Sequence, residues 1–375
     1  MINMNGSFFR HWQTIPFFIL LLLFGAYDLL KTISSMPYAQ RFSYVGVAHA
    51  DGVKEDDKLI EDYTKAIAAN PRDAVSYNNR GVAYISIGLY DLAIVDYTKA
   101  LEINPKYAEA YSNRGNAYNA KGLYDAAVAD LTRAVEISPH LAIAYNNRGN
   151  AYAAQGLYTP AIEDFNMAIE NDPKYAVAYY NRGCAYYAKG RHGLAIADYT
   201  RAIEINPNYI HAYTMRGNAY NRERLYPDAV VDFTKVIAID SKDAAAYSDR
   251  AKTYIVQRLY GMAVLDYTKI IEINPSNAVS YFNRGVAYAA ESLYSMAIAD
   301  FTKAIEINPV YAEAYYSRAV ACDKAGLTRE AVTSYESFVK FAPRQYGPTV
   351  ELVKKRMNEI KRNYSLRNVT NVNDQ

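Results

Sequence analysis

Asparagine recurs at one fixed interval along this sequence of 375 residues. Four asparagines are spaced by 34 residues, and a fifth lies three intervals further on: Asn79, Asn113, Asn147, Asn181 and Asn283. A primary amide both donates and accepts hydrogen bonds, so a row of amides can bond to the backbone of an extended peptide without reading its side chains. Asn116 and Asn150 add to this row. The pattern predicts a peptide-binding groove, and a merely solvated polar face is the alternative.

Tyrosine is the second unusual residue type, with 38 copies in the chain. Tyr180 and Tyr187 are seven residues apart, which places them on one face if the segment is helical. Exposed aromatic side chains in a groove often carry much of the binding energy. We therefore include both tyrosines in the predicted groove, and packing between helices is an equal alternative for them.

The remaining reactive residue types do not form the pattern of an enzyme. The 5 histidines are scattered, and the sequence has no GxSxG, HExxH or glycine-rich phosphate loop. Its 2 cysteines, Cys184 and Cys322, are too far apart for a zinc motif or a disulfide framework. The formal net charge of +2 argues against nucleic acid as a partner. We therefore predict no catalytic residue, no cofactor and no metal site.

The interval of 34 residues extends over most of the chain. Proline recurs at it from Pro71 to Pro343, with Ser241 as the one exception. Eight repeats follow, in which positions are counted from the first residue: 74–107, 108–141, 142–175, 176–209, 210–243, 244–277, 278–311 and 312–345. Apolar and small residues occupy positions 4, 8 and 11 and then 20, 24 and 27, which is helical spacing in two runs. Each repeat is thus predicted to be a hairpin of a first helix (A) and a second helix (B).

This pattern closely resembles the tetratricopeptide repeat. The resemblance covers about three quarters of the chain and implies an all-α, right-handed α-solenoid superhelix, whose A helices line a concave groove. It also implies that asparagine at position 6 contacts peptide backbone. The carboxylate clamp of chaperone-binding members is absent, because Asn78 and Asn146 stand where the clamp needs lysine. Arg224 and Arg258 replace the usual glycine at position 15, so we expect this stretch to curve differently.

A repeated charge pattern suggests how neighbouring helices pair. Arginine occupies position 7 of all eight repeats, from Arg80 to Arg318, and aspartate occupies position 23 of seven. Asp62 has the same spacing upstream, and Ser334 replaces the aspartate of repeat 8. Pairing each aspartate with the arginine 18 residues later uses every member, whereas pairing within a repeat leaves Asp62 and Arg318 over. We therefore predict bridges from each B helix to the next A helix.

Both ends of the repeat array are predicted to be covered. Residues 55–73 are expected to form a half repeat, a lone B helix. Residues 346–375 are expected to form a capping helix with an apolar stripe, followed by a disordered tail from residue 368. A basic amphipathic helix on a membrane surface is the alternative for the C-terminal segment. The stripe consists of Val353, Met357, Ile360 and Tyr364.

An apolar run from Ile15 to Tyr27 lies outside the repeats. Its length and the preceding Arg10 are typical of a signal segment, and no small-residue cleavage site follows closely. We favour an uncleaved signal anchor in residues 1–30 with a tether in residues 31–54. The alternatives are a cleaved signal, which gives a secreted protein, and a buried or interfacial segment. A positive N-terminus stays inside, which places the repeats outside the cytoplasm, in bacteria in the periplasm.

These observations favour a non-catalytic, membrane-anchored scaffold that binds a protein or an extended peptide in its groove. Two alternatives remain open at this stage. One is a structural repeat protein that self-associates through an exposed end. The other is an accessory subunit of an envelope assembly or secretion machine, or of an enzyme encoded separately.

Overall fold

The computed structural model describes the backbone of residues 50–373 and the side chains of residues 56–362. All regular elements within residues 50–373 are helices, arranged as consecutive packed hairpins, and this confirms the predicted fold class. The helices fall into two compact units that divide between Leu225 and Tyr226.

The N-terminal unit contains ten described helices. A helices of 13 residues alternate with B helices of 14 residues after a longer first helix. Their bounds are α1 (Ala50–Ala69), α2 (Ala74–Ser86), α3 (Tyr90–Ile103), α4 (Ala108–Ala120), α5 (Tyr124–Ile137), α6 (Ala142–Ala154), α7 (Tyr158–Asn171), α8 (Ala176–Ala188), α9 (His192–Ile205) and α10 (Ile210–Arg222).

The C-terminal unit continues the same alternation and ends in a long helix. It begins with the B helix of repeat 5 and has a short 3₁₀ turn, Arg344–Tyr346, before its last helix. The bounds are α11 (Tyr226–Ile239), α12 (Ala244–Val256), α13 (Tyr260–Ile273), α14 (Ala278–Ala290), α15 (Tyr294–Ile307), α16 (Ala312–Lys324), α17 (Thr328–Phe341) and α18 (Gly347–Asn373).

Small residues at position 8 allow the A and B helices of a repeat to pack closely. A Cβ atom added to Gly149 would lie 2.7 Å from Cε1 of Phe165 and 3.1 Å from the carbonyl oxygen of Ala161. Phe165 and Ala161 are fully buried on the facing helix α7. The glycine therefore makes room for the aromatic ring that fills the centre of the hairpin.

The turn between the two helices of a repeat requires a left-handed residue at position 15. Gly88 and Gly156 adopt φ angles of 77° and 78° there. Arg224, Arg258 and Ser292 occupy the same position with φ of 62°, 61° and 61°. These three residues hold the turn in spite of a Cβ that disfavours this conformation.

The predicted pairing of arginine with the preceding aspartate is wrong. Each described bridge joins residues 16 apart, within one repeat: Arg80 to Asp96, Arg114 to Asp130, Arg148 to Asp164, Arg182 to Asp198, Arg250 to Asp266 and Arg284 to Asp300. The guanidinium also reaches the preceding B helix, but through a neutral acceptor. In repeat 1, for example, Nη1 of Arg80 donates to Oγ1 of Thr64 at 3.0 Å.

The two charges left over by pairing within a repeat, Asp62 and Arg318, do not need an opposite charge. Arg318 instead donates from Nε to the hydroxyl of Ser334 at 3.0 Å, so the last arginine has a partner within its own repeat. Asp62 lies exposed on α1, where it stays hydrated and has no need of a bridge.

The two ends of the described chain carry helices outside the eight repeats. Helix α1 packs against α2 in the manner of a B helix and begins at residue 50, earlier than the predicted 55. Helix α18 packs on α17 and buries Val353 and Ile360 in a cluster with Phe338. Arg356 further ties it to Asp323 of α16, with Nε 3.0 Å from Oδ2.

Helix α18 continues to Asn373, into the tail for which the sequence predicts disorder. No proline or glycine follows Pro348 to interrupt it, which accounts for the difference. The predicted signal anchor, residues 1–30, lies outside the described residues. Among the helices that are described, none combines the length and hydropathy needed to cross a membrane.

Candidate functional site

The predicted groove residues of repeats 1 to 4 all lie on A helices of the N-terminal unit. Helices α2, α4, α6 and α8 contact one another in succession, although each pair is separated in sequence by a B helix. Packed helices lie about 8–10 Å apart. Side chains that occupy the same repeat position on successive A helices therefore form a row, and neighbours in the row are about 8–10 Å apart.

The asparagines of repeats 1 and 2 form a hydrogen-bonded group. Asn113 on α4 donates from Nδ2 to Oδ1 of Asn78 on α2 at 3.0 Å. Asn78 in turn donates from Nδ2 to Oδ1 of its neighbour Asn79 at 3.2 Å. Each amide in this chain polarises the next, which strengthens the group as a whole. The position 5 asparagine is thus the centre of the group, and the two position 6 asparagines are its ends.

Repeats 3 and 4 contain the same arrangement. Asn181 on α8 donates to Oδ1 of Asn146 on α6 at 2.9 Å, and Asn146 donates to Oδ1 of Asn147 at 3.4 Å. Asn146 and Asn181 are buried, with exposed fractions of 2% and 4%. We call the six residues of the two groups the amide surface: Asn78, Asn79, Asn113, Asn146, Asn147 and Asn181.

The amides at the two ends of each asparagine group differ in which atom is left without a described hydrogen bond. In Asn79 and Asn147 the oxygen is occupied, and the Nδ2 donor has no partner among the residues described. In Asn113 and Asn181 a donor is occupied, and Oδ1 has no described partner. The atoms left without any described bond are therefore a donor, an acceptor, a donor and an acceptor in successive repeats, and the second Nδ2 hydrogen of Asn113 and Asn181 stays available beside their oxygens. Rotating all three side-chain amides of a group by half a turn would exchange the places of Oδ1 and Nδ2. The donor end would then become the acceptor end and the reverse, and the alternation would be preserved.

Three more asparagines lie on these A helices, namely Asn119 and the predicted groove residues Asn116 and Asn150. Asn119 donates from Nδ2 to the backbone carbonyl of Asn147 at 2.8 Å, which links α4 to α6. The Oδ1 atoms of Asn119 and Asn150 are enclosed and have no hydrogen-bond partner. Asn116 and Asn150 are themselves half-buried at position 9. An enclosed oxygen does not reach a ligand in this conformation, so Asn119 and Asn150 contribute less to the candidate site than the amide surface does.

The structure places Tyr180 in the packing between helices. Its exposed fraction is 8%, and its ring lies 5.1 Å from that of Tyr209 and 5.8 Å from that of Tyr199. Burial raises the pKa of Tyr209, as expected for a phenol enclosed in this cluster. The packing alternative for Tyr180 is therefore the better interpretation, and it does not serve as an exposed aromatic contact.

Tyr187, two helical turns further along α8, is half-buried and makes different contacts. Its ring lies 4.8 Å from that of His192, and its hydroxyl accepts from Nε of Arg222 at 3.2 Å. Burial lowers the pKa of His192, which keeps the imidazole neutral at physiological pH. Tyr187 thus retains some accessible surface, in contrast to Tyr180.

Asn283 lies apart from the amide surface, on α14 of the C-terminal unit. Its position 5 neighbour is Phe282, whose ring packs 5.8 Å from Phe301 and 5.1 Å from Tyr311. Asn113 and Asn181 bond to an asparagine 35 residues earlier, but the residue 35 before Asn283 is Ser248, so neither neighbouring position 5 supplies an amide. The fifth member of the sequence row is therefore not part of an asparagine group.

The face around the amide surface is almost free of charge. The resemblance to the tetratricopeptide repeat assigns positions 2, 5, 6, 9, 12 and 13 of each repeat to the concave face. At these positions of repeats 1 to 4, Glu109 is the only Asp, Glu, Lys, Arg or His. The arginines at position 7 are engaged with aspartates on the facing B helices, as in Arg114 with Asp130 at 2.6 Å. Their hydrogen bonds to aspartate raise the pKa of Arg114 and Arg148. These guanidinium groups therefore stay charged, and their charge is already paired within the protein.

Sequence reasoning missed the role of Asn78 and Asn146. From the sequence, Asn78 stands out only as a replacement for the lysine of a carboxylate clamp, and Asn146 also as one residue of a polar strip. The available signal was that repeats 1 and 3 carry Asn-Asn at positions 5 and 6, whereas repeats 2 and 4 carry Ser112-Asn and Tyr180-Asn. This period of two repeats is the period of the hydrogen-bonded groups. Within the described residues, no cluster of His, Cys, Asp or Glu could hold a metal ion.

Comparison with protein families identifies the repeat itself. A family model described as tetratricopeptide repeat matches residues 74–107, 142–175, 176–209 and 278–311. A second with the same description matches residues 96–129, and one described as TPR repeat matches residues 115–156. The chain contains tetratricopeptide repeats. Proteins built from this repeat generally act as scaffolds for protein interaction.

Solved structures of other repeat proteins are similar to this chain. MamA is 33% identical, with 44% of this chain and 96% of MamA covered and a TM-score of 0.40. YrrB, a TPR protein with an unusual peptide-binding site, is 26% identical over 52% of this chain and 97% of its own, with a TM-score of 0.43. PilW, a widely conserved type IV pilus biogenesis factor, has a TM-score of 0.50 at 21% identity, covering 54% and 94% of the two chains. This last likeness concerns the fold alone. None of the curated proteins matches the chain.

Proposed function

We propose that this chain is a non-catalytic scaffold whose amide surface binds an extended segment of a partner protein. The observation that carries the proposal is the row of four amide ends on α2, α4, α6 and α8, which alternate between donor and acceptor. A peptide backbone offers both N–H and C=O groups along its length, and each needs a partner when it leaves water. A row of fixed amides supplies such partners without selecting side chains.

The hydrogen bonds within each asparagine group favour binding for a further reason. A free asparagine side chain loses rotamer freedom when it binds a ligand, which reduces the affinity. Asn113 and Asn181 are already held by Asn78 and Asn146. The surface is thus preorganised, and little ordering of the protein remains to be done on binding.

Crosslinking in intact cells tests this proposal. A photoreactive benzoyl-phenylalanine replaces Val82 or Ile143, which lie on A helices α2 and α6 with exposed fractions of 47% and 45%. The matched control replaces Val95, exposed to 64% on B helix α3. We expect the same partner to be captured from Val82 and Ile143 and not from Val95.

The same experiment in the background of Asn113→Ala and Asn147→Ala links capture to the amides. We expect capture to fall while circular dichroism shows an unchanged helix content. Equal capture in both backgrounds, capture from Val95 alone, or no capture at all would contradict the proposal. Capture of a second copy of this chain would support self-association instead.

We further propose that the repeats are held at a membrane by residues 1–30, on the side away from the cytoplasm. The apolar run from Ile15 to Tyr27 and the preceding Arg10 support this proposal. Deletion of residues 1–30 is expected to release the protein from the membrane fraction. Resistance of the repeats to protease added to cells with a permeabilised outer membrane would count against the extracytoplasmic placement.

A further inference from the structure

We infer that the amide surface selects an uncharged segment of about ten residues in an extended, polyproline II-like conformation. This inference rests on the proposed function and specifies the chemistry of the ligand. It draws on three features of the N-terminal unit: the absence of available charge, the spacing of the A helices and the alternation of the amide ends.

The charge of the ligand follows from the charge of the surface. Glu109 apart, the groove positions of repeats 1 to 4 are uncharged, and the nearby arginines are paired with buried aspartates such as Asp96, exposed to 3%. An acidic ligand side chain would lose hydration here and would find no free opposite charge, and a basic one would find only Glu109. An uncharged segment avoids this cost, because amides and backbone groups satisfy one another.

The length and conformation of the ligand follow from the spacing of the A helices. Packed helices generally lie about 8–10 Å apart, so we expect this spacing for the successive A helices, which contact one another. One turn of polyproline II spans three residues, or about 9.3 Å. One turn of such a ligand therefore matches one repeat. Four repeats span three intervals, or roughly 24–30 Å, which corresponds to about ten residues at 3.1 Å each. A β-strand repeats every two residues, or about 6.8 Å, and this repeat does not match the roughly 8–10 Å expected between neighbouring amides of the row.

The alternation of the amide ends sets which backbone groups the ligand uses. A carbonyl of the ligand accepts from Asn79, an N–H donates to Asn113 three residues on, and the order repeats at Asn147 and Asn181. Proline lacks an N–H group. Proline is therefore accepted opposite Asn79 and Asn147 and rejected opposite Asn113 and Asn181, which gives the ligand a period of six residues.

The test uses arrays of immobilised 12-residue peptides, and the probe is the full chain solubilised in detergent. One pool contains only Gly, Ser, Thr, Gln and Pro, and two further pools replace every third residue by Glu or by Lys. We expect the uncharged pool to be retained about tenfold more strongly than either charged pool. Raising NaCl from about 0.05 M to about 0.5 M is expected to change retention less than about twofold, because no ion pair forms.

Two variants test the alternation without removing the asparagine groups. Asn79→Asp with Asn147→Asp keeps the oxygens that accept from Asn78 and Asn146 and replaces only the two outward donors. Ser112→Asn supplies a position 5 amide between Asn113 and Asn147 and occupies an end of each group. Each variant is expected to weaken retention of the uncharged pool about tenfold. The matched control is Asn166→Asp on α7, where the oxygen still accepts from Nη1 of Arg182.

The outcomes separate this inference from the proposed function. Preferential retention of a charged pool, lost in the Asn79→Asp and Asn147→Asp variant, would overturn the inference and leave peptide binding at the amide surface intact. Retention that is the same in the variants and the wild type would overturn both. Loss of retention in Asn166→Asp as well would show a general effect of charge and would also overturn the inference.

Discussion

The guanidinium of Arg148 and the carboxylate of Asp164 meet in two parallel hydrogen bonds within repeat 3. Nε donates to Oδ2 at 2.8 Å, and Nη2 donates to Oδ1 at 2.7 Å. The third arm of the guanidinium, Nη1, reaches back to Oγ1 of Thr132 on the preceding B helix at 3.2 Å. One side chain thereby joins both helices of its own repeat and the helix before them.

We predict that Asp164 is energetically coupled to Arg148 and not to Arg182, 18 residues later. A double-mutant cycle of Arg148→Gln and Asp164→Asn is expected to show a coupling of about 1.5–3 kcal/mol, because the hydrogen bonds involve charged groups. The matched cycle of Asp164→Asn and Arg182→Gln is expected to be additive within about 0.5 kcal/mol. Amide hydrogen exchange in α6 and α7 measures the local free energies of unfolding. Equal coupling in the two cycles would contradict the observed pairing.

The same pair predicts a dependence of stability on pH. Burial raises the pKa of Asp164 above its ordinary value, while the hydrogen bonds and charge of Arg148 act to lower it. Replacing Arg148 by Gln removes the lowering effects, so the folded-state pKa of Asp164 rises further. A raised folded-state pKa gives stability that is present below the unfolded pKa and lost as pH rises through the folded one.

Arg148→Gln is therefore expected to destabilise repeat 3 more at about pH 7.5 than at about pH 4.5, each relative to the wild type at the same pH. Hydrogen exchange corrected for its intrinsic pH dependence measures the difference. The double variant Arg148→Gln with Asp164→Asn has no carboxylate to titrate there and serves as the control. An equal loss of stability at both pH values would contradict the expected effect of an unpaired, buried Asp164 carboxylate.

The turns at Arg224 and Ser292 store backbone strain that glycine would relieve. Both residues have positive φ, where a Cβ costs about 1–2 kcal/mol, partly offset by the freedom that glycine gains on unfolding. Arg224→Gly and Ser292→Gly are each expected to stabilise the chain by about 0.5–1 kcal/mol. The reciprocal control is Gly156→Ser, where an added Cβ meets no atom within 4 Å, so the backbone alone is tested. A more stable Gly156→Ser variant would refute the strain.

Gly149 and Gly193 provide a matched pair for the close packing of helices. Gly149→Ala is expected to destabilise repeat 3 by about 1–3 kcal/mol, because the new methyl group overlaps the ring of Phe165. Gly193 lies in the first turn of α9 with no atom within 4 Å of an added Cβ. Gly193→Ala is expected to be neutral or stabilising by up to about 1 kcal/mol. Thermal unfolding monitored by circular dichroism distinguishes the two, and equal effects would speak against a packing constraint at Gly149.

The helical hairpins were predictable because their signals are local. Three signals mark each helix: the apolar periodicity, a glycine such as Gly88 after the A helix, and an Asn-Pro pair such as Asn104-Pro105 after the B helix. Each signal acts within one or two turns of helix. The spacing of these residues therefore indicates where a helix begins and ends. The candidate asparagines were found on the same basis, since a fixed position in a repeat becomes a fixed place on a helix.

The partners of the side chains were not predictable in this way. Whether Arg80 reaches Asp96 or Asp62 depends on the approach of two helices, and a repeat offers both aspartates at plausible distances in sequence. The roles of Asn78 and Asn113 depend on a contact between residues 35 apart, which fixes the orientation of each amide. Periodicity locates such residues but carries no information about which atom of an amide faces the neighbour.

The asparagine groups make two consecutive repeats, not one, the smallest unit that can be copied without changing the surface. Removing a single internal repeat, such as 108–141, would bring two Asn-Asn repeats next to each other and break the sequence of donors and acceptors. Removing two would shorten the row and leave its order intact. A protein that grows by duplicating whole repeats would therefore keep its ligand only when it gains or loses them in even numbers.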